Sequence, residues 1–162
     1  MRRYLLFFTL CLILFLLPLQ VFVIGSSMGI GIQGAVYRYQ VTEYGVFFFP
    51  ITREIVFVLN GTYSPKTALS VVLWGVGTVL LTITTFFSFI HVQDRIVNYY
   101  RQIITGLFFS CVIFLCSCVA QYGFFFNGPA GVSYPAGILL IITWSGMGWY
   151  FRHTIINFLD SK

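Results

Sequence analysis

The sequence contains few charged residues. They make up 8% of its 162 positions, with nine basic and four acidic side chains, whereas soluble domains average about a quarter. Hydrophobic residues account for 59% of the chain and the mean hydropathy is +0.92. A soluble fold of this length cannot bury that much apolar surface, so the composition excludes an ordinary soluble domain and indicates an integral membrane protein.

Titratable residues are also missing from the interiors of the long apolar runs. Four runs are long enough to span hydrocarbon, and they cover about residues 4–24, 68–90, 103–121 and 135–151. None of them contains Asp, Glu, Lys, Arg or His. Proton relays and ion-coupled transport usually depend on such intramembrane groups, so their absence argues against a pump or a secondary transporter.

The cysteine pattern provides neither a redox motif nor a metal site. Cys11, Cys111, Cys116 and Cys118 all fall inside the predicted spans, and no C-x-x-C occurs. His91 and His153 fall at the ends of spans, where a haem is not expected. The sequence therefore predicts no catalytic residue, no metal and no cofactor, and it predicts that the cysteines pack as small apolar residues.

The basic residues predict the orientation of a single membrane domain over residues 1–162. With both termini in the cytoplasm, the inner face carries Arg2, Arg3, Arg95, Arg101, Arg152 and Lys162. The outer face then carries Arg38, Arg53 and Lys66. In the alternative interpretation the first run is a cleaved signal peptide, with small residues at Gly25-Ser26-Ser27. We interpret the net charge of +5 as a signal for membrane topology and for contact with anionic lipids. No nucleic acid is predicted as a partner.

The loops have unequal complexity. An inner loop covers residues 91–102, a second outer loop covers 122–134, and the main outer loop covers 26–66. In the main loop, the side chains of residues 35–40 alternate in the way that is typical of a strand. Residues Ile55–Leu59 form a β-branched and aromatic run that stops at Asn60-Gly61, and Asn-Gly is a hairpin signal. This pattern predicts a small antiparallel sheet. Ser64-Pro65 then predicts the start of the second long helix.

Two short motifs in the outer loop have competing interpretations. Gly29 to Gly34 matches G-x-G-x-x-G, but a predicted span precedes it and a strand follows, so we interpret its glycines as a flexible exit from the membrane. Asn60-Gly61-Thr62 is a glycosylation sequon on the predicted outer face. The predicted hairpin turn explains Asn60 equally well.

Small and hydroxyl residues recur at helical spacing within the spans. They serve either as a helix-packing stripe or as a substrate path, and packing is the preferred interpretation. The stripe comprises Gly75, Thr78, Thr82, Thr85, Ser110, Ser117, Gln121, Ser145 and Gly148.

Together these patterns predict an all-α membrane protein, a four-helix transmembrane bundle with a small extracytoplasmic antiparallel β-sheet between helices 1 and 2. This layout resembles that of claudin-type four-span proteins in architecture. Residues 26–66 lack the tryptophans and the cysteine pair of that family's outer loop, so no functional residue is carried over.

The function expected from the sequence is that of a non-enzymatic interaction, accessory-subunit or structural protein in the plasma or cell membrane. Its expected partners are membrane lipids and other membrane-protein subunits or itself. A channel or lipid-handling protein is the alternative, motivated by the threonines at 78, 82 and 85. A membrane enzyme is the weakest interpretation, because it requires His91, Asp94, Arg95 and His153 to assemble into an active site.

Overall fold

The fold combines one antiparallel sheet with long helices. The computed structural model describes residues 14–25, 28–91 and 96–151. The strands are β1 (Gln20–Ile24), β2 (Gly29–Gln33), β3 (Tyr37–Thr42), β4 (Gly45–Pro50), β5 (Asn127–Gly128) and β6 (Gly131–Tyr134). The helices are α1 (Ile51–Leu59), α2 (Pro65–His91), α3 (Ile96–Tyr122) and α4 (Ala136–Tyr150).

The sheet has six strands in the order β4-β3-β2-β1-β6-β5. The hairpin between β3 and β4 turns at Glu43-Tyr44, where Thr42 pairs with Gly45. The Tyr44 N–H donates to the Thr42 hydroxyl (3.2 Å), which supports the turn. Strand β6 joins the sheet by pairing with β1, so residues of the predicted second outer loop complete it.

The predicted all-α four-helix bundle is wrong. The fold is mixed α/β, and among the described residues two helices are long and apolar enough to cross a membrane. The predicted first span is overturned at 20–24, because these residues form β1 at the centre of the sheet; residues 4–13 lie outside the described part. No local signal marked this strand, since a run hydrophobic throughout fits a buried strand as well as a helix.

The helix found at the predicted fourth span is too short to cross a membrane. Helix α4 has 15 residues and is therefore about 22 Å long, against about 30 Å of hydrocarbon. It packs mainly on α3, and its first turn meets the segment just before β1, where the Ile138 N–H donates to the Leu19 carbonyl (3.1 Å). A Cβ on Gly137 would overlap the Pro18 carbonyl, so this contact depends on glycine.

Helix α1 replaces the strand that was predicted at Ile55–Leu59. Its buried and half-buried residues fall at 51, 54, 57 and 58, a helical period, so tertiary packing overrides the β-branched composition. Asn60-Gly61 ends this helix rather than forming a hairpin. The Gly61 N–H donates to the Val58 carbonyl and the Thr62 N–H to the Phe57 carbonyl (both 3.0 Å), and Gly61 has φ +68°, as in a Schellman C-cap.

Helices α2 and α3 form an antiparallel hairpin. The start of α2 is as predicted, with Pro65 first and the Ser64 hydroxyl accepting the Thr67 N–H (3.4 Å). Trp74 lies against Phe114 at the centre of the core, with ring centroids 4.7 Å apart. A Cβ on Gly77 would come within 2.8 Å of the Phe114 ring, and glycine there lets the helices approach closely.

The close approach of neighbouring strands also explains the glycines of the G-x-G-x-x-G match. They lie in or next to β2, and a Cβ on Gly31 would overlap the Phe22 ring and come within 2.7 Å of the Tyr39 carbonyl. The interpretation as a flexible exit from the membrane is therefore wrong for Gly29 and Gly31, which are strand residues.

Gly31→Ala is expected to destabilise the fold by about 1–3 kcal/mol, because the added methyl has to displace the buried Phe22 ring or the backbone of β3. Thermal unfolding of the detergent-purified protein measures the effect. Gly75→Ala is the matched control, since its Cβ would meet Ile55 at an ordinary 3.8 Å and alanine favours helix. Equal melting temperatures for the two variants would contradict the close-packing account.

Candidate functional site

The inner face of the sheet carries several polar side chains among its aromatic ones, although it is buried against the helices. Gln20 lies at its centre and is 2% exposed. Its side-chain amide donates to the Gln33 side chain (2.7 Å), while its carbonyl oxygen accepts the Cys118 thiol (2.8 Å) and the Ser133 hydroxyl (2.9 Å). These bonds join β1, β2, β6 and α3. One of these side chains, Cys118, was predicted from the sequence to pack as a small apolar residue.

An ion pair fastens α1 to the same face. The Arg38 guanidinium on β3 donates to the Glu54 carboxylate on α1 at 3.2 Å, and Glu54 is 1% exposed. The guanidinium also lies over the Phe22 ring, 4.4 Å from its centroid, a favourable cation–π position. The Nε of Arg38 is buried and has no hydrogen-bond partner among the described residues. The pair therefore carries a desolvation cost that the ring contact offsets in part.

The electrostatics of Glu54 follow from this burial. Loss of water raises the pKa of its carboxyl group from the ordinary 4.5, and the positive charge and hydrogen bond of Arg38 oppose that rise without cancelling it. Burial, followed by the charge of Glu54, also raises the pKa of the nearby Tyr63. The net effect is a folded state that holds the Glu54 proton more tightly than the unfolded chain does.

The outer face of the sheet is apolar and exposed. The strand registers align its side chains in two rows that cross five strands. One row is Tyr134, Val21, Ile32, Tyr39 and Phe48, and the other is Val132, Val23, Ile30, Val41 and Val46. Neither row contains a charged or amide side chain, and Val46 and Phe48 are 61% and 59% exposed. In a soluble protein the apolar face of such a sheet is buried and the polar face is exposed. Here the apolar face is the exposed one, and we call this an inverted sheet.

The edge of the sheet at β4 leaves backbone groups without protein partners. Pro50 has no N–H, so its pair with Tyr37 is not hydrogen-bonded, and alternation along the ladder makes the Phe48 and Val46 pairs non-bonded as well. The N–H and C=O groups of Val46 and Phe48 therefore point away from β3. No backbone bond of the described chain reaches them. No charge interrupts residues 45–50 either, so Pro50 at the end of the strand is the one residue of β4 that usually protects an edge against pairing.

Part of the predicted small-residue stripe lies at the contact between α2 and α3. The Ser110 hydroxyl donates to the Gly77 carbonyl (2.8 Å) and Ser117 to the Ser70 carbonyl (2.7 Å), while Ser70 donates to Gln121 (3.2 Å). Thr78 donates to the Ala35 carbonyl (2.6 Å), which ties the turn between β2 and β3 to α2.

The remaining stripe residues differ in their surroundings. The Thr82 hydroxyl donates within its own helix, to the Thr78 carbonyl (2.8 Å). Thr85 is half-buried, Ser145 is buried on α4, Gly75 faces Ile55 and Gly148 is half-buried.

Other predicted residues are scattered or lie outside the described residues. Cys111 and Cys118 are buried and Cys116 is exposed, none of them in a disulfide. Asn60 is exposed at the C-cap of α1. Cys11, Asp94, Arg95 and His153 are not among the described residues, and His91 is the last residue of α2. The described part contains no group of three His, Cys, Asp or Glu placed to hold a metal.

The features above define a class of protein: a mixed α/β fold in which an inverted sheet packs on a long apolar helical hairpin. No family model, no curated protein and no solved structure matches this chain.

Glu54→Gln is expected to remove a pH dependence of stability. Because the folded pKa of Glu54 exceeds its unfolded value of 4.5, its contribution to stability is complete below that pH and is lost as pH rises through the folded pKa. The stability of the wild type relative to Glu54→Gln therefore falls as pH rises above 4.5. Unfolding midpoints in detergent across this range measure the difference. The control is Glu43→Gln at the exposed hairpin turn, and parallel profiles for wild type and Glu54→Gln would rule out the assignment.

Proposed function

We propose that this chain is a non-enzymatic integral membrane protein that acts by assembly. In this proposal the hairpin of α2 and α3 crosses the cell membrane, the outer face of the sheet lies on lipid, and β4 pairs with β4 of a second copy. The observation that carries the proposal is the inverted sheet, with its polar face buried and its apolar face exposed next to an unpaired edge.

The hairpin supports the membrane location. The candidate spans cover Pro65–Ser88 and Arg101–Tyr122, and 39% and 33% of their most apolar windows are buried within the chain. Val79, Ile83 and Phe86 are 58%, 58% and 64% exposed on one side of α2. A core helix of a soluble protein buries such residues, whereas lipid solvates them at no cost. The basic residues Arg95 and Arg101 beside the link between the helices favour a cytoplasmic link and an extracytoplasmic sheet.

Neither water nor lipid alone solvates the sheet completely. Water satisfies the open edge at Val46 and Phe48 but leaves the two apolar rows wet. Lipid covers the rows, but each unpaired N–H or C=O in hydrocarbon costs several kcal/mol. A strand supplied by another protein molecule at the edge, together with lipid on the face, removes both costs.

A second copy supplies a suitable strand. Two β4 strands related by a two-fold axis at Phe47 run antiparallel, and each Val46 then faces Phe48 of the other copy and exchanges both backbone bonds with it. Residues 45–50 carry no charge, so the two strands do not repel one another. The apolar rows ending in Val46 and Phe48 continue from one copy into the other, which extends the lipid-facing surface.

Topology is tested with single cysteines in a variant whose four native cysteines are replaced by serine or alanine. A cysteine at Thr62, which follows α1, is expected to react with a membrane-impermeant maleimide in intact cells. One at Gln93, between α2 and α3, is expected to react only after lysis. The reverse result would mean that the sheet lies in the cytoplasm and the link between α2 and α3 lies outside. Labelling of both positions in intact cells would exclude a hairpin that crosses the membrane.

Val46→Lys is expected to abolish pairing at the β4 edge, because an edge lysine places a charge in the centre of the paired strands. Multi-angle light scattering of the detergent-purified protein is expected to give a dimer for the wild type and a monomer for the variant. Phe125→Lys is the control, since Phe125 is 94% exposed in the turn before β5, and it should leave the dimer intact. A wild type that is monomeric both in detergent and by crosslinking in native membranes would end the proposal.

A further inference from the structure

Two apolar cavities lie side by side at the end of the helices farthest from the sheet. The larger, about 940 Å³, runs along α3 and is lined by Leu80, Arg101, Gln102, Thr105, Gly106, Phe109, Ile113 and Trp149. Its lining on α3 extends from Arg101 to Ile113, a rise of about 18 Å along the helix. It is therefore an elongated groove rather than a compact pocket.

The smaller cavity, of about 370 Å³, lies between α3 and α4. Its walls include Ile104, Phe108, Ser145 and Gly146, and it shares Thr105, Phe109 and Trp149 with the larger groove. The shared residues form a partition between two apolar channels. Gly146 leaves space within this cavity, because a Cβ built there meets no atom within 4 Å.

Among the described residues, Arg101 places a positive charge at the mouth of the two cavities. The Arg101 guanidinium lies over the Trp149 ring, 5.4 Å from its centroid, so the cation sits above the partition. Arg101 is exposed and makes no ion pair with the described acidic residues. Gln102 and the Thr105 hydroxyl add polar groups at the same end of the larger groove.

We propose that these cavities form a binding site for a diacyl phospholipid with an anionic headgroup. Each acyl chain occupies one cavity, on either side of the wall formed by Phe109 and Trp149, and the headgroup phosphate binds Arg101. The charge complements an anionic lipid, and the two apolar channels complement its two chains. The site rests on the membrane location proposed above, but it depends neither on pairing of β4 nor on the orientation of the sheet.

Native mass spectrometry of the protein in a neutral detergent tests the site. Dioleoyl phosphatidylglycerol is expected to bind at one copy per chain and dioleoyl phosphatidylcholine, with the same chains and no net charge, about tenfold more weakly. Glycerol phosphate carries the anionic group without the chains and is expected not to compete. Equal binding of the two lipids would reduce the site to a nonspecific lipid contact, and competition by glycerol phosphate would make it a site for free phosphate; either result overturns the proposal.

Two variants separate the headgroup site from the acyl site. Arg101→Gln is expected to weaken phosphatidylglycerol binding about tenfold and to abolish the preference over phosphatidylcholine. Arg53→Gln is the matched control, because Arg53 also lies over aromatic rings, 5.5 Å from the centroids of Phe49 and Phe57, but lines neither cavity. Unchanged binding to Arg101→Gln would place the phosphate elsewhere.

Gly146→Leu fills the smaller cavity without displacing the backbone. It is expected to weaken binding of both lipids roughly tenfold, since the burial of about two methylene groups is lost. Thr143→Leu places the same side chain on α4 outside the cavities and is expected to bind as the wild type does. Retention of both lipids by a folded Gly146→Leu would exclude an acyl chain from this cavity. Because binding is measured on the solubilised chain, a failed dimer or topology test leaves this result interpretable.

Discussion

The buried polar face of the sheet is the constraint on which the rest of the structure depends. Gln20, Gln33 and Ser133 cannot be buried without hydrogen-bond partners, and the Gln20 side chain binds all three of its partners at 2.7–2.9 Å. One of these partners, Cys118, belongs to α3, so satisfying the sheet fixes its position on the hairpin. The Arg38–Glu54 pair applies the same requirement to α1, because an unpaired charge at either position would be far more costly than the pair.

Turning the polar side chains inward has a consequence on the opposite face. A strand has two faces, and once amides, a guanidinium and glycines occupy the inner one, alternation leaves the outer one to valine, isoleucine, tyrosine and phenylalanine. Such a surface suits lipid or protein and not water. The α2–α3 hairpin has the same preference, since most of its apolar side chains are not buried within the chain. The sheet and the hairpin therefore require one common environment, which is the basis of the proposed membrane assembly.

Part of the fold was accessible from the sequence. The two central apolar runs correspond to α2 and α3, the Ser64-Pro65 start of α2 was predicted, and the alternation at 35–40 indicated a sheet in the loop before it. The extent of the sheet was not accessible. Residues 20–24 form a strand between β2, which follows them directly, and residues 131–134, which lie more than a hundred positions away. Local hydropathy does not distinguish a strand buried in this way from a helix. The candidate site was missed for the same reason: Gln20, Arg38 and Glu54 belong to no local motif.

The sequence by itself indicated the environment of this protein, which is an apolar one. A charged fraction of 8% and long apolar runs indicate an apolar environment whatever the chain arrangement, because this inference depends on composition. Tertiary structure alone decided which runs become strands, which face of the sheet is buried, and where Arg38 meets Glu54 and Arg101 meets Trp149. These outcomes depend on pairing between residues far apart in the chain, and a one-residue change of register would have exchanged the two faces of the sheet.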